Sequence, residues 1–598
     1  MNVPNEDQNG VLEDNARIRV VSAVPGSGKT WLVAELIRRE LINWTSSEGG
    51  IAALSFTNVG GDEIRRAVGH DLDHPHFVGT LDAFLFRHVI RPFLPKVRPA
   101  WRPPRLIAAD WEPFRWRKGP QNIELETGIS SGPGRKIHLL DVAFVSENGG
   151  LPVLAYKPHR DAPLSILSAE HTSTVLSAKK NLWEKTGWIT HSDAAYLASW
   201  ILGSAVAKNA ILAEVTRRYP LIVVDELQDT GFFLGKCVLD LLTTPAVRGV
   251  LVGDPDQAIY EFNGARPDLF QKFFELDGAT ALSLRTTKRF GSTISLAAQQ
   301  LNSGTHISPE SEKTGQCFLV TYTDMPSDVR ALAAALAKHP NANRIRIIAR
   351  QKSVVNTIAE LKAKALPSLG SPGLAHVHYA VNSFNSGNAN RALAQVRAAY
   401  ERIVFGREGV EDELLSETGL DPIAWKEMCA RSLQFARIEI PGETLGAWGD
   451  RMIAHMKESL LAAKDDLPMS TIRKVFTREA NKERGPYLVH QSVGGADEMR
   501  VAVSTIHSVK GETHGMTVII CPHPSTEADC PSRLWWPAAG DIEEERRIAY
   551  VALTRSSGDV VLCISPNTME NLRRLRPEFV EQCRSMTIAE YIASLAAT

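Results

Sequence analysis

Short apolar runs along the chain predict strands. Ile18–Ser22 (IRVVS), Leu221–Val224 (LIVV) and Val250–Val252 (VLV) read as buried strands. After the first, WLVAELIRREL carries the apolar spacing of a helix. Each strand delivers polar residues at its C-terminal end, as in a parallel α/β sheet whose ligands bind beyond the carboxyl ends. Near Ala194–Ala207 lies the longest apolar stretch, stopped by Lys208. It is too short to span a bilayer and predicts a buried helix. Later, Arg391–Val404 and Gly446–Ala463 have helical patterns, and the stretches Pro367–Gly373 and Ser383–Asn388 suit domain boundaries. There is no internal repeat and no long low-complexity tract.

Composition narrows the class. At 598 residues the chain should hold several domains. With 67 Lys plus Arg against 68 Asp plus Glu, nucleic-acid binding cannot rest on a globally basic coat and needs a local patch. A hydrophobic fraction of 44% excludes disorder as the dominant state. The opening MNVPNEDQNG is acidic where a signal peptide needs positive residues. The seven cysteines form no CxxC pair, so reduced thiols in a cytoplasmic protein are expected. Cys521, His523 and Cys530 match no zinc spacing. One candidate patch is Arg87–Pro120, where nine Lys or Arg are interleaved with Trp101, Trp111, Phe114 and Trp116. Its seven prolines argue against a long helix. An extended basic and aromatic segment would suit a nucleic-acid backbone; the alternative is a solvated loop wrapping the neighbouring domain.

The chemistry starts after the first strand. Ala23-Val24-Pro25-Gly26-Ser27-Gly28-Lys29-Thr30 is a glycine-rich turn between strand and helix, the context of a phosphate-binding loop. Its glycines let backbone N–H groups approach phosphates, and the helix N-terminus adds positive potential. Lys29 would bind the β/γ-phosphates and the Thr30 hydroxyl Mg²⁺. The second strand ends in Asp225-Glu226, which can divide labour: Asp225 on Mg²⁺, Glu226 on the attacking water. After the third strand, Gln257 can sense the γ-phosphate.

These segments resemble the UvrD/Rep/PcrA family of superfamily 1 DNA helicases. Further matches follow in order: Gln8, fifteen residues before Ala23, Ala53–Asn58 (ALSFTN), Gly79–Phe84 (GTLDAF), Gly253–Ala265 (GDPDQAIYEFNGA), Leu284–Phe290 (LRTTKRF), Ile345–Arg350 (IRIIAR), Ser504–Gly511 (STIHSVKG) and Glu543–Arg555 (EEERRIAYVALTR). They anchor about residues 5 to 560. The resemblance implies an α/β fold of two RecA-like parallel-sheet motor domains, each with an inserted, mainly helical accessory domain. The first motor domain would be residues 1–85 and 191–285, its insertion 86–190; the second 286–375 and 491–598, its insertion 376–490.

The resemblance also implies roles. Gln8 would read adenine, and Arg289 and Arg555 would be arginine fingers reaching ATP from the second motor domain. Phe56, Thr57, Asn58, Tyr260, Phe262, Arg350, Thr505 and His507 would line single-stranded DNA. The implied activity is ATP- and Mg²⁺-dependent 3′-to-5′ translocation and unwinding of single-stranded DNA and duplex junctions, in repair, recombination or antiphage defence. The alternative is a DNA-end-sensing ATPase subunit that regulates a partner nuclease. The stretch after Arg555 is too short for a fused nuclease, so cleavage would need a separate chain. Several positions depart from the family. Trp31 and Lys288 stand where an arginine and a tyrosine usually sandwich the adenine, which suggests an inverted stack. Glu512-Thr513-His514 replaces Leu-Glu-Phe after Lys510-Gly511, so an acidic nucleotide-side role would fall to Glu512 or be lost. Asp82 and Asn263 replace a histidine and an arginine at DNA-side positions.

Overall fold

A computed structural model describes residues 3–46, 48–69, 72, 74–106, 125–132, 135–147, 151–156, 164–204, 208–261, 264–266, 268–310, 315–358, 372–385, 389–405, 422–438, 440, 442–462, 501–522 and 543–596. They fall into two compact units: one holds two parallel sheets and the first insertion, the other the helices between 372 and 462.

The first sheet has six strands: β1 Ile18–Ala23, β2 Ile51–Ser55, β3 Phe77–Thr80, β4 Leu221–Val224, β5 Arg248–Gly253 and β6 Ala279–Leu284. All pairings are parallel, in the order β6-β1-β5-β4-β2-β3. Its strands read as continuous apolar runs because both faces are covered. Alternation divides each strand between two cores. Val21, Ile51, Ala53, Leu221 and Val223 pack beneath α2 (Lys29–Ile42) and α3 (Asn58–Val68), while Val20, Leu54, Ile222 and Val224 face the helices His191–Leu202 and Phe232–Leu242. The helix expected near Ala194–Ala207 is buried on this face and ends at Gly203.

The second sheet repeats the plan. β7 Cys317–Thr321, β8 Ile345–Ala349, β9 Ala502–Thr505, β10 Met516–Ile520, β11 Val560–Ile564 and β12 Arg584–Thr587 pair in parallel in the order β9-β8-β10-β11-β7-β12. Leu319, Ile348, Ile519 and Leu562 join one core, and Val320, Ile347, Val518 and Val561 the other. The two-lobed, RecA-like fold is thus present.

The first insertion departs from the mainly helical expectation. It carries a hairpin (Glu126–Gly132 with Arg135–His138), an antiparallel three-stranded sheet (Val142–Glu147, Leu151–Tyr156, Ser165–Ile166) and the helix Ala169–Thr186. Alternating burial of Val142 and Phe144 gives one sheet face to the core, and Phe144 stacks on Tyr196 at 3.9 Å. A buried ion pair, Lys179 Nζ to Asp193 Oδ1 at 2.7 Å, ties this insertion to helix His191–Leu202. Asp193 is further satisfied by the Trp183 indole and the Thr190 N–H, which a charge in the interior requires.

The Arg87–Pro120 segment is also not simply extended. Leu81–Leu85, a π-turn over Phe86–Ile90 and Arg91–Val97 form one continuous helical path. Prolines are tolerated because the π-turn shifts bonding to Arg91 N–H on Phe86 O, immediately before Pro92, whose ring supplies no donor. Trp101 packs on Trp183, and Arg98 lies 4.9 Å over the Trp200 ring. Trp101 thus packs on the insertion's own helix, and Arg98 lies on the first lobe, as in the wrapping alternative. Trp111, Phe114 and Trp116 lie outside the described residues.

In the other unit, helices Pro372–Asn385, Ala389–Phe405, Pro422–Ala436 and Leu445–Ala462 share a core of Leu374, Val396, Tyr400, Trp425, Trp448 and Met452.

Candidate functional site

The phosphate loop leaves β1 and enters α2. Gly26 and Gly28 hold φ of 77° and 83°, the left-handed region that side chains avoid. Space is as decisive as φ at Gly26, where a Cβ would lie 2.4 Å from Arg289 Cβ. The loop is held from outside. Thr287 Oγ1 donates to Pro25 O at 2.7 Å, Lys288 N to Gly26 O at 2.9 Å, and Gln8 Nε2 to Ser27 O at 2.9 Å. Gln8 Oε1 accepts from Asn5 N, closing a capping box on α1 (Glu6–Glu13). Gln8 therefore braces the loop from a site that is only 1% exposed. The Ser27 hydroxyl, in a residue also 1% exposed, has no hydrogen-bond partner among the described residues. A buried orphan hydroxyl inside a glycine cradle fits an oxyanion such as a phosphate.

Acidic residues gather opposite. Glu226 is the non-glycine residue with positive φ (56°) among those described, and its backbone N–H is held by Asp225 Oδ1 at 2.9 Å. That turn sets the Glu226 carboxylate 3.9 Å from Lys29 Nζ. Burial, with Glu226 adding repulsion, raises the Asp225 carboxyl to about 7 despite Lys29. Burial would raise Glu226 too, but Lys29, Lys510, a Gln228 amide bond and Arg555 hold it below its ordinary value. The two carboxyls are therefore driven apart, one toward its protonated form and one kept ionised. A buried carboxyl with a raised pKa beside a second carboxylate suits a divalent cation, whose charge would relieve both.

The second lobe closes on this cluster. Arg555 is 1% exposed and donates through Nη2 to Gln257 Oε1 at 2.8 Å. Gln257 Nε2 in turn donates to Asp254 Oδ2 at 2.6 Å. Arg289 Nη1 donates to Thr554 O at 3.0 Å, and burial with Arg555 nearby lowers its guanidinium to about 9. Both predicted fingers therefore lie at the phosphate loop and Gln257. Lys510 Nζ bridges Asp229 Oδ1 (2.6 Å), Asp229 Oδ2 (2.7 Å) and Gln257 O (2.6 Å). Arg546 reaches Asp256 at 2.8 Å, and Arg547 bonds Ala258 O at 2.8 Å and Glu261 at 2.7 Å.

A row of rings leads away from the site. Phe56 stacks on Tyr260 (6.1 Å, 27°), and Tyr260 faces the His507 ring at 6.1 Å. Lys510 Nζ sits 4.9 Å over the same Tyr260 ring. One cation therefore touches both the acidic cluster and the aromatic row. Burial, with Arg350 adding to it, lowers His507 to about 4, so the ring is neutral. Arg350 pairs with Glu545 at 3.4 Å. Thr57 caps α3 through Gly60 N, and Thr505 accepts from Ser508 N. Asn58 starts α3; Phe262 and Asn263 lie outside the described residues.

Some expected groups sit differently. The Glu512 carboxylate lies 3.2 Å from His514 Nε2 and 3.7 Å from Arg346, while the Glu512 carbonyl accepts from Arg555 Nη1 at 3.5 Å. Trp31 packs against the core that contains Val11 and Leu12, and Lys288 pairs with Glu310 at 3.4 Å. His88 is a core histidine: Tyr219 OH is 3.0 Å from Nε2 and the rings of Phe77 and Phe84 flank it. Lys510, Asp229, Gln228, Arg546, Arg547 and Thr287 carry contacts that sequence reasoning did not assign. Gln228 ties Glu226 to Asp254 within the first lobe, while the others meet partners across the two lobes.

This geometry defines a class: a phosphate-loop protein whose two RecA-like lobes meet across one acidic site. Comparison with known proteins adds a likeness to one helicase family. Residues 4–96 and 163–276 match the family model for the UvrD/REP helicase N-terminal domain. Gabija protein GajB of Bacillus cereus (strain VD045) is 26% identical over 267 residues, 44% of this chain and 42% of that relative. DNA helicase II of Haemophilus influenzae is 24% identical over 450 residues, 64% of this chain and 59% of the relative. ATP-dependent DNA helicase UvrD2 of Mycobacterium bovis is 23% identical over 411 residues, 66% of this chain and 54% of the relative. The chain spans about half the length of the curated relatives it matches. Over these stretches it is similar to UvrD/Rep-like superfamily 1 helicases.

Proposed function

We propose that the chain is an ATP-dependent DNA helicase or translocase moving 3′ to 5′ on single-stranded DNA. The observation that carries this reading is the bond from Arg555 of the second lobe to Gln257 of the first, beside the phosphate loop and Arg289. Lys29 and the loop N–H groups would hold the ATP phosphates. Thr30 and Asp225 would hold Mg²⁺, which supplies charge neutralisation when bound. Glu226, kept ionised, accepts a proton from the attacking water. Arg289 and Arg555 lie against the γ-phosphate only while the lobes are together, and fingers of this kind are worth about 10³–10⁵ in rate. Hydrolysis therefore requires closure, and release permits opening.

Phe56, Tyr260 and His507 would contact the strand, with Thr57, Asn58, Phe262, Arg350 and Thr505 beside them. Stacking accepts any base, at about 1–3 kcal/mol each, which suits translocation. The domain ranges given above, the repair or recombination setting and a cytoplasmic location are part of this proposal. Likeness to Gabija protein GajB keeps antiphage defence and a separate nuclease partner within it.

ATP turnover with and without single-stranded DNA tests the reading, with strand displacement on 3′- and 5′-tailed duplexes as the second arm. DNA-stimulated turnover and unwinding of the 3′-tailed duplex are expected, and Lys29→Ala should abolish both. Turnover indifferent to DNA would reject a translocase; stimulation without displacement would favour the end-sensing ATPase.

A further inference from the structure

The Glu512-Thr513-His514 segment departs from the family pattern next to a finger that does not. His514 is 3% exposed, and both ring nitrogens are engaged: Nδ1 is 3.0 Å from Thr517 Oγ1 and Nε2 is 3.2 Å from Glu512 Oε2. Burial holds the ring at about 4, below its ordinary value although Glu512 opposes this, so it is neutral near pH 7. A carboxylate can only accept, so Nε2 carries the proton and Nδ1 accepts from the Thr517 hydroxyl. That hydroxyl belongs to a fully buried residue of β10, so the ring is fixed at both ends.

The backbone beside this ring grips the finger segment. His514 N donates to Arg555 O at 2.9 Å, and Ser557 N returns to His514 O at 2.8 Å, a parallel bridge centred on Ser556. The Ser557 hydroxyl donates to the same His514 carbonyl at 2.9 Å. Two residues earlier, the Glu512 carbonyl meets Arg555 Nη1 at 3.5 Å. Both main chain and guanidinium of Arg555 are thus held by residues 512–514.

We infer that His514, locked between Thr517 and Glu512, is a positioning residue that sets Arg555 against the γ-phosphate. The Glu512 carboxylate acts in that brace, through His514, and not on the nucleotide. The inference rests on the proposed ATPase reading. It makes His514 a determinant of turnover with no part in ATP binding, because the ring touches only the finger's support.

The test is steady-state ATP hydrolysis on saturating single-stranded DNA for wild type, His514→Phe, His514→Gln and Thr517→Val. Displacement of a reacting group by about 1 Å can cost about 100-fold, so His514→Phe should lower kcat by about 10- to 100-fold with KM for ATP unchanged. Thr517→Val, nearly isosteric, should lose less but in the same direction. His514→Gln can donate to Glu512 and accept from Thr517, and should recover most of the rate. Unchanged kcat in both His514→Phe and Thr517→Val overturns the brace. So does a KM rise matching the kcat loss, or a failure of His514→Gln to recover any rate while its melting temperature equals that of wild type. If His514→Phe does not fold, Thr517→Val decides alone by the same kcat criterion. A wild type without ATPase activity would instead reject the functional reading on which the inference stands.

Discussion

At the residue scale, buried charge in the site should be readable by titration. Asp225 is raised to about 7 from an ordinary 3.8. Across that window the folded chain binds more protons than the unfolded one, so the Asp225 contribution to stability is full below the ordinary value and lost as pH rises through about 7. A cation needs the ionised carboxylate. Mg-ATP binding should therefore release protons near pH 6.5 and tighten toward pH 8. Calorimetry in buffers of differing ionisation enthalpy measures this, and Asp225→Asn should remove it. Lys510 gives a second case. Lys510→Met keeps the stem but leaves Asp229 buried without its cation, a loss of about 3–5 kcal/mol for such pairs. Because burial already raises Asp229 to about 6, the variant's deficit should shrink as pH falls and Asp229 takes up a proton. Urea unfolding at pH 5.5 and 8 compares the two. With the contact to Tyr260 also gone, the same variant should lose most DNA stimulation of ATP turnover.

At the element scale, the strands were the most legible part of the chain. An apolar run such as Leu221–Val224 is buried on both faces, and only a parallel sheet covered by helices asks for that. The first insertion was harder to read. Its hairpin and three-stranded sheet are built from short strands, and their apolar residues serve a core shared with the first lobe, including Tyr196 and Trp200. In the same region the helix Arg91–Val97 stops before Pro99, so no long helix forms, yet it carries Pro92 and Pro95. A proline forbids a hydrogen bond, not a helix, once a π-turn has already displaced that bond. In the separate helical unit, Trp448 is fully buried and its indole donates to Ala436 O at 3.1 Å. Trp448→Ala should destabilise that unit by about 3–5 kcal/mol. Faster amide hydrogen exchange in Pro422–Ala436 and Leu445–Ala462 would report it; unchanged protection would contradict the packing.

At the scale of the whole molecule, the catalytic proposal depends on lobes that meet. Gly26 is the narrowest point, because a side chain there would collide with Arg289 as well as strain the loop. Gly26→Ala should hold the lobes apart and cut ATP turnover at least tenfold, the equivalent of about 1.4 kcal/mol in the barrier. Energy transfer between dyes on the two lobes should then show no closure on adding a non-hydrolysable ATP analogue, where wild type shortens its distance. The sequence by itself determined which segments carry the chemistry proposed for phosphate, cation and bases, since the loop, the Asp225-Glu226 pair and the proposed finger motifs are each local strings with their own chemistry. Only the tertiary structure decided which group meets which. Lys510 with Asp229, Arg555 with Gln257 and His514 behind Arg555 join residues far apart in the chain. Their pairing energy depends on distance and burial, and neither is written in residue order.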